Sequence, residues 1–388
     1  MKIPIARTDL NKFEIEAVLE PLKSGWLVQG PKVNEFEKKW SNFTGSKHSI
    51  AVTSCTSALS LSLAALNFSF GDEAIVPAFT WISTANVVEH FGGKVVFCDI
   101  NLNTFNIDVS KIESLITEKT KVILPVHLFG LSADIDPILK IAQSYDLNIV
   151  EDAACGFGSF YNGKHVGTFG NTGCFSFHPR KAITTGEGGM ITTNDEKLAS
   201  KLRCLRDHGA DISDLQRHTS PKPYLLADHN EAGYNQRMTD IQAALGSKQM
   251  DRADEITKER KRLAQNYDDA FKNLDWLKIP EYKNNFVHGF QSYPCIYSNE
   301  IISLDNLSYL KEKRNNFMND LQSKGISTRP ATHAVHMLKF FKDKYKISNE
   351  KFLQSYFANE VSISLPLFHG MTSKEQDYVI SVVKKHKP

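Results

Sequence analysis

Short β-branched and apolar runs alternate with helical patterns through the first half of this 388-residue chain, and no other feature restricts its fold as much. Runs at 48–54, 73–77, 95–99, 121–127, 148–152, 173–178 and 189–193 read as strands. Stretches at 57–67, 109–117, 134–145 and 196–206 read as helices between several of them. A tight turn cannot join two parallel strands, so an intervening helix signals a parallel pair covered by that helix. The alternation therefore predicts an α/β fold with a mostly parallel sheet covered on both faces. One gap breaks the pattern: no helix fits between Asp152 and Gly173, where GFGSFYNGKHVGTFGNTG reads as hairpin or loop.

From 239 to 271 the pattern turns helical and highly charged, and its opposite charges at helical spacing read as a solvated face. One long helix there would lead into a smaller α+β region, with strands at 287–297 and 361–365 and helices at 314–324 and 374–385. The expected division is a large domain over 1–250, then a linking helix and small domain over 251–388. Lys and Arg number 46 against 44 Asp and Glu. This near-neutrality gives no electrostatic reason to expect nucleic acid or a membrane surface as partner. No apolar run approaches the ~18 residues of a membrane span, and MKIPIARTDL lacks the apolar stretch of a signal peptide. The six cysteines are scattered without a CxxC pair and read as ordinary thiols of a reducing compartment. A soluble cytoplasmic protein is expected.

Ligands of open parallel sheets bind at the carboxyl ends of the strands, and three candidate strands end in chemically suggestive residues. In HSIAVTSCTSALSLSLAAL, a strand runs into Ser54, Thr56 and Ser57 at a helix start. Hydroxyls and free N–H groups there suit a phosphate, although plain N-capping uses the same residues. In LNIVEDAACGFGS, Asp152 closes an apolar strand; a carboxylate so placed can hold a protonated ring nitrogen or a metal, or cap the following turn. In GCFSFHPRKAITTGEGGMITT, a strand with two phenylalanines leads to Lys181 and a glycine-rich turn. Most lysines are solvated surface groups, but one held between an aromatic strand and a glycine turn is suited to Schiff-base chemistry. No P-loop, GxGxxG or HExxH pattern competes. With Trp81 nearby in PAFTWISTANVV, these are the parts a pyridoxal-phosphate enzyme needs. The lysine carries the cofactor as an imine, the aspartate keeps its ring nitrogen protonated, the aromatic side chain stacks on the ring and the helix start holds the phosphate.

The segments SGWLVQGPKVNEFE, SCTSALSLSLAAL, GDEAIVPAFTWIST, PVHLFG, VEDAACGFGS, GTFGNTGCFSFHPRKAITTGEGGM, GYNQRMTDIQAALG and GISTRP, in this order, resemble the nucleotide-sugar aminotransferases of the DegT/DnrJ group. That group is a branch of the fold-type I pyridoxal-phosphate enzymes. The resemblance covers nearly the whole chain, and its S-F-H-P-x-K…G-E-G-G block is highly specific. It implies an aspartate-aminotransferase-like three-layer sandwich, with a mostly parallel seven-stranded sheet and a smaller α+β C-terminal domain.

By position, the resemblance makes Lys181 the cofactor-bearing lysine, Asp152 the partner of the ring nitrogen and Trp81 the stacking residue. Thr56, Ser57 and Ser176 match phosphate contacts, and Asn235 matches a residue given to that site by a neighbouring subunit, which implies a homodimer with shared active sites. Cys155 stands where the group usually has Gln or His, near the cofactor's ring hydroxyl. His178 and Arg329 are the expected substrate contacts, although Arg329 reads equally well as a surface arginine. L-glutamate is the implied amino donor and a nucleotide-linked keto-sugar the acceptor. The TRP run resembles enzymes that aminate a 4-keto-6-deoxy sugar, for glycan or surface-polysaccharide biosynthesis. His333 and His336 have metal-like spacing but no third ligand, so no metal is expected. The rival readings are a sugar dehydratase of the same group, which would carry His in place of Lys181, and a non-catalytic sugar-nucleotide sensor.

Overall fold

The computed structural model describes all 388 residues. Seven strands form the main sheet: β1 (His48–Val52), β2 (Glu73–Pro77), β3 (Lys94–Cys98), β4 (Thr120–Ile123), β5 (Asn148–Asp152), β6 (Thr172–Ser176) and β7 (Gly189–Thr193). Their spatial order is β1-β7-β6-β5-β4-β2-β3. Every neighbouring pair from β6 to β3 is parallel, and β7 alone runs antiparallel to both of its neighbours, β6 and β1. An antiparallel pair needs no crossover helix. The β6–β7 connection is accordingly a loop, and it carries Lys181.

Successive side chains of a strand point to opposite faces, and the cores follow that rule. Ala74 and Val76 enter the core beneath the helices Cys55–Ala65, Ser83–His90 and Glu196–Arg206, while Ile75 enters the one beneath Ile135–Ser144. Ile191 and Met190 divide in the same way, Met190 joining Trp40, Phe36, Phe175 and Phe177 beneath the helices Pro31–Thr44 and Asp240–Met250. Helices on both faces of a central sheet make three layers. Each fully buried Val, Leu, Ile or Phe in them contributes about 1.5–3 kcal/mol by leaving water.

A second core surrounds the three-stranded antiparallel sheet Leu277–Lys278, Tyr293–Tyr297 and Ser362–Leu365. Tyr267, Phe271, Tyr293, Tyr297 and Phe317 fill it, and Ile3 from the amino terminus joins them.

Several elements depart from the sequence expectation. The helix expected over 239–271 is two, Asp240–Met250 and Ala253–Phe271. The break lets Arg252 turn back to Glu14 at 2.8 Å and Asp9 at 3.2 Å. Its charged run is not all solvated face either, because Arg260 is buried. The stretch 109–117 forms two short 3-10 turns, Val109–Lys111 and Glu113–Leu115, since Asp108 caps the first and neither turn contributes a buried side chain. The strand expected over 287–297 splits: Phe286–Val287 pairs with Phe160–Tyr161 of a small hairpin, and Tyr293–Tyr297 joins the second sheet. The helices Lys12–Ser24 and Pro31–Thr44 have no counterpart among the expected elements.

Candidate active site

Three connections converge at the carboxyl end of β5. Asp152, its last residue, is 5% exposed. Its Oδ2 accepts a hydrogen bond from Thr84 Oγ1 at 2.7 Å, and its Oδ1 accepts from the Ala154 amide at 3.1 Å. No Lys, Arg or His is paired with it, so the strand ends in a buried carboxylate held by neutral donors alone. Such a group calls for a cation or a proton donor from a ligand.

The residue before it is tied down differently. Glu151 is fully buried and accepts from His127 Nε2 at 2.8 Å and from the amides of Gly167, Phe169 and Gly170, each at 2.7 Å. His127 Nδ1 accepts from the Ala133 amide at 3.1 Å, which places the ring proton on Nε2, facing Glu151. Burial alone would raise the Glu151 pKa; the His127 bond and the glycine amides overcome it and hold the carboxyl below its ordinary value. The glycine-rich stretch thus folds onto Glu151 and fixes the strand whose next residue is Asp152.

Lys181 sits half-buried in the β6–β7 loop, its Nζ 3.2 Å from Cys155 Sγ. Its amide donates to the His178 carbonyl at 2.8 Å. Ser176 ends β6, and its Oγ accepts from the His178 amide at 3.4 Å. His178 Nδ1 accepts from the Arg180 amide at 3.2 Å. Burial, then Arg180 and Lys181, keep the His178 pKa below its usual value.

Two helix starts complete the centre. Ser54 caps Cys55–Ala65 by accepting from the Ser57 amide at 3.0 Å, and Ser57 Oγ meets Thr53 Oγ1 at 2.8 Å. Thr56 Oγ1 donates to Ser83 Oγ, at the start of the helix Ser83–His90, at 3.0 Å. β7 passes so close that a Cβ on Gly189 would lie 2.4 Å from the Ser54 carbonyl carbon and 2.7 Å from the Cys55 nitrogen. Trp81 is 52% exposed at the mouth, its ring 5.8 Å from the His333 ring and 6.0 Å from the Arg180 guanidinium. Pairing of Phe79–Thr80 with His333–Ala334 brings the C-terminal segment there.

Two expected site residues make no side-chain contact with these groups within the chain. Asn235 is exposed on a segment bridged to Asp207, and its side chain has no partner within the chain. Arg329 is exposed, and its guanidinium bonds only the carbonyl of the adjacent Thr328, at 2.7 Å. Other residues enter that the sequence did not single out: Thr84, Ser83, the His127–Glu151 pair and Cys55. Burial and then Asp152 push the Cys55 thiol well above its usual range. The PVHLFG match was the one available sign of His127; nothing local marked Thr84.

A lysine and a buried carboxylate without a counter-ion, flanked by two helix starts at one sheet edge, define an α/β group-transfer enzyme. The chain belongs to the DegT/DnrJ/EryC1/StrS aminotransferase family, whose model it matches over residues 8–384. It is 36% identical over 385 residues to the spore coat polysaccharide biosynthesis protein SpsC of Bacillus subtilis, covering 98% of this chain and 96% of that protein. Among solved structures it superimposes on a putative sugar aminotransferase of Streptococcus pneumoniae in its PMP form, with a TM-score of 0.90 and 31% identity over 99% of this chain and 98% of the other. The Helicobacter pylori aminotransferase PseC, involved in the biosynthesis of pseudoaminic acid, gives a TM-score of 0.88 at 28% identity over 99% of both chains. The architecture is therefore that of the fold-type I sugar aminotransferases.

Proposed function

We propose that this protein is a pyridoxal-phosphate-dependent sugar aminotransferase that moves the amino group of L-glutamate to a nucleotide-linked keto-sugar. The cofactor is pyridoxal phosphate, and the residues fit it. Asp152, the buried anion without a cation, matches a protonated ring nitrogen. The hydroxyls of Thr56, Ser57 and Ser176, with the first amides of Cys55–Ala65, match a phosphate. Trp81 offers an aromatic face, and Cys155 a weak hydrogen-bonding group beside Lys181. When bound, the cofactor supplies the carbonyl that takes up the amine and a ring that draws electrons from the reacting carbon.

The chain's own residues do the rest. Lys181 Nζ would hold the cofactor, and its free amine would move a proton at the donor's α-carbon. Asp152 keeps the ring nitrogen protonated, and Thr84 fixes the orientation of its carboxylate. His178 and Arg329 are assigned to the sugar side, Arg329 through movement or a second copy. A homodimer is part of this reading. Ile15, Leu19 and Leu22 share one exposed face of Lys12–Ser24, with Leu27 and Val28 exposed beyond it, and Asn235 is left without a partner. A 4-keto-6-deoxy sugar and a role in surface-polysaccharide biosynthesis are the finer proposal, supported by GISTRP and by the name of the Bacillus relative.

The observation that carries the reading is Lys181 on the loop beside β5, whose end presents the uncompensated Asp152. Its presence favours amino transfer over dehydration. Adding L-glutamate to the cofactor-loaded protein should convert the cofactor's absorbance from the pyridoxal to the pyridoxamine form. A cofactor that binds and never converts would favour the sensor instead.

A further inference from the structure

Cys155 lies in the turn that follows β5, and Lys181 Nζ donates to its Sγ at 3.2 Å. It is the one cysteine of the six that touches an amine. Cys55 and Cys98 donate to the Cys174 and Asp108 carbonyls, at 3.5 and 3.6 Å, and Cys174 meets Ser62 Oγ at 3.4 Å. Cys155 and Lys181 are both half-buried, so a small solute reaches them while bulk water does not surround them.

Both residues line a small cavity of ≈ 10 Å³, roughly the room that one water-sized oxygen needs. Trp40, Phe157, Phe175 and Ile183 form much of its wall. Trp40 is 1% exposed, and its Nε1 has no acceptor in the chain. A buried N–H left in that state is rare and calls for an oxygen partner. The cavity thus joins a thiol, an amine and an unused hydrogen-bond donor.

We propose that Cys155 and Lys181 form an oxidative modification site, at which a peroxide links Sγ to Nζ and so removes the cofactor-bearing amine. The consequence for the cofactor rests on the pyridoxal-phosphate reading above; the link itself does not. First, Cys155 Sγ takes one oxygen from hydrogen peroxide. The O–O bond breaks, sulfur gives up two electrons, and a sulfenic acid and one water result. The added oxygen has the cavity to occupy and Trp40 Nε1 as donor. Next, the lone pair of neutral Lys181 Nζ attacks sulfur and the S–O bond breaks. The leaving hydroxide takes a proton from nitrogen and departs as a second water. A sulfenic acid condenses with a thiol or with a nitrogen. Burial and then Asp152 push the neighbouring Cys55 thiol well above its usual range, which keeps it protonated and a poor nucleophile. Nζ is already in contact. Excess thiol reverses the link, restoring Cys155 and Lys181 while two molecules of that thiol join as a disulfide.

The test treats two samples with hydrogen peroxide and maps their peptides by mass: pyridoxamine-loaded protein, where Lys181 is free, and pyridoxal-loaded protein, where it is engaged. The first should yield the Cys155 and Lys181 peptides joined, with two hydrogens fewer than the separate pair. The second should yield far less of it. Schiff-base absorbance on adding pyridoxal phosphate should fall in proportion to the linked fraction and return with dithiothreitol. Cys204→Ser should link as the wild type does. Cys155→Ser should give no link and lose a smaller share of its own untreated absorbance. Cys155 carried to sulfinic or sulfonic acid without a joined peptide, a Cys55–Cys155 disulfide in its place, or equal linking in the two loaded forms would overturn the assignment. If Cys155→Ser does not fold, the wild-type peptide masses decide alone. Protein that takes up neither cofactor form would remove the underlying reading, whereas the link is still read by mass in the unloaded chain.

Discussion

Lys181 Nζ lies 3.2 Å from Cys155 Sγ, and that contact joins the β6–β7 loop to the turn that follows Asp152. The two residues proposed to act at opposite ends of the cofactor, Lys181 and Asp152, are thus held on adjoining pieces of chain. The contact also constrains what Lys181 can do when free: its amine rests against a weak acceptor and not in a strong ion pair.

Replacing the lysine tests its role directly. Lys181→Ala should still bind the cofactor, because Asp152, the helix start and Trp81 remain. Amino transfer should fall about 10²–10⁴-fold, the usual worth of a positioned acid–base group. Cofactor absorbance titration and single-turnover rates with glutamate measure the two separately. Substantial turnover by this variant would contradict the role.

Thr84 is predicted to act on the cofactor through Asp152, the nearest partner of its hydroxyl at 2.7 Å, with the Trp81 carbonyl at 3.2 Å and Thr80 Oγ1 at 3.3 Å. Thr84→Val keeps the shape but leaves Asp152 Oδ2 without its hydroxyl donor, at a cost of about 1–3 kcal/mol in stability. Weaker cofactor binding should accompany it. Thr84→Ser restores the hydroxyl and should restore affinity. Equal behaviour of the two variants in an absorbance titration would show that the hydrogen bond is irrelevant.

Gly189 is required by close approach. An alanine Cβ would sit 2.4 Å from the Ser54 carbonyl carbon, so β7 or the helix start must shift. Gly189→Ala should lower both thermal stability and cofactor affinity, because the shifted backbone is the proposed phosphate site. Unchanged affinity in a titration of the folded variant would detach the Ser54–Ser57 turn from the phosphate.

Acid sensitivity follows from two buried histidines. His165 donates from Nδ1 to the Val166 carbonyl at 2.6 Å and accepts at Nε2 from the Gly158 amide at 3.3 Å, a pattern that only the neutral ring satisfies. Burial holds its pKa down to about 4, and burial with Lys261 holds that of His288 down to about 3. Their unfolded value is near 6.5, so the unfolded chain binds protons first as pH falls. The stability they confer is present above about pH 6.5 and is lost progressively toward pH 4 and 3, by about 3 kcal/mol for His165. Urea midpoints should drop between pH 7 and pH 5, and less steeply in His165→Gln. A flat midpoint over that range would exclude the linkage.

The main sheet was legible because β2, β5 and β7 are short apolar runs bounded by polar or glycine punctuation, and their limits follow the sequence pattern directly. Asp152 and Lys181 were legible for a related reason: Asp152 closes such a run, and Lys181 lies in the loop that follows another. Thr84 was not, because its partner lies on β5 whereas its own helix follows β2, and that meeting depends on strand order. Arg260 was hidden by its company. In ADEITKERKRLAQNYDDAF it looks like its charged neighbours, and only the Phe290–Gln291 loop and Leu367, both distant in sequence, bury it. The break at Arg252 was equally non-local, being set by Glu14 and Asp9.

The central claim is amino transfer to a nucleotide-linked keto-sugar, and product mass tests it most directly. Wild-type protein loaded with pyridoxal phosphate is incubated with L-glutamate and a panel of nucleotide-linked 3-keto and 4-keto sugars. One sugar, expected from the 4-keto-6-deoxy group, should appear as its amino derivative, with 2-oxoglutarate formed in equal amount. A dehydrated sugar, or a bound cofactor with no amino product from any member of the panel, would contradict the account.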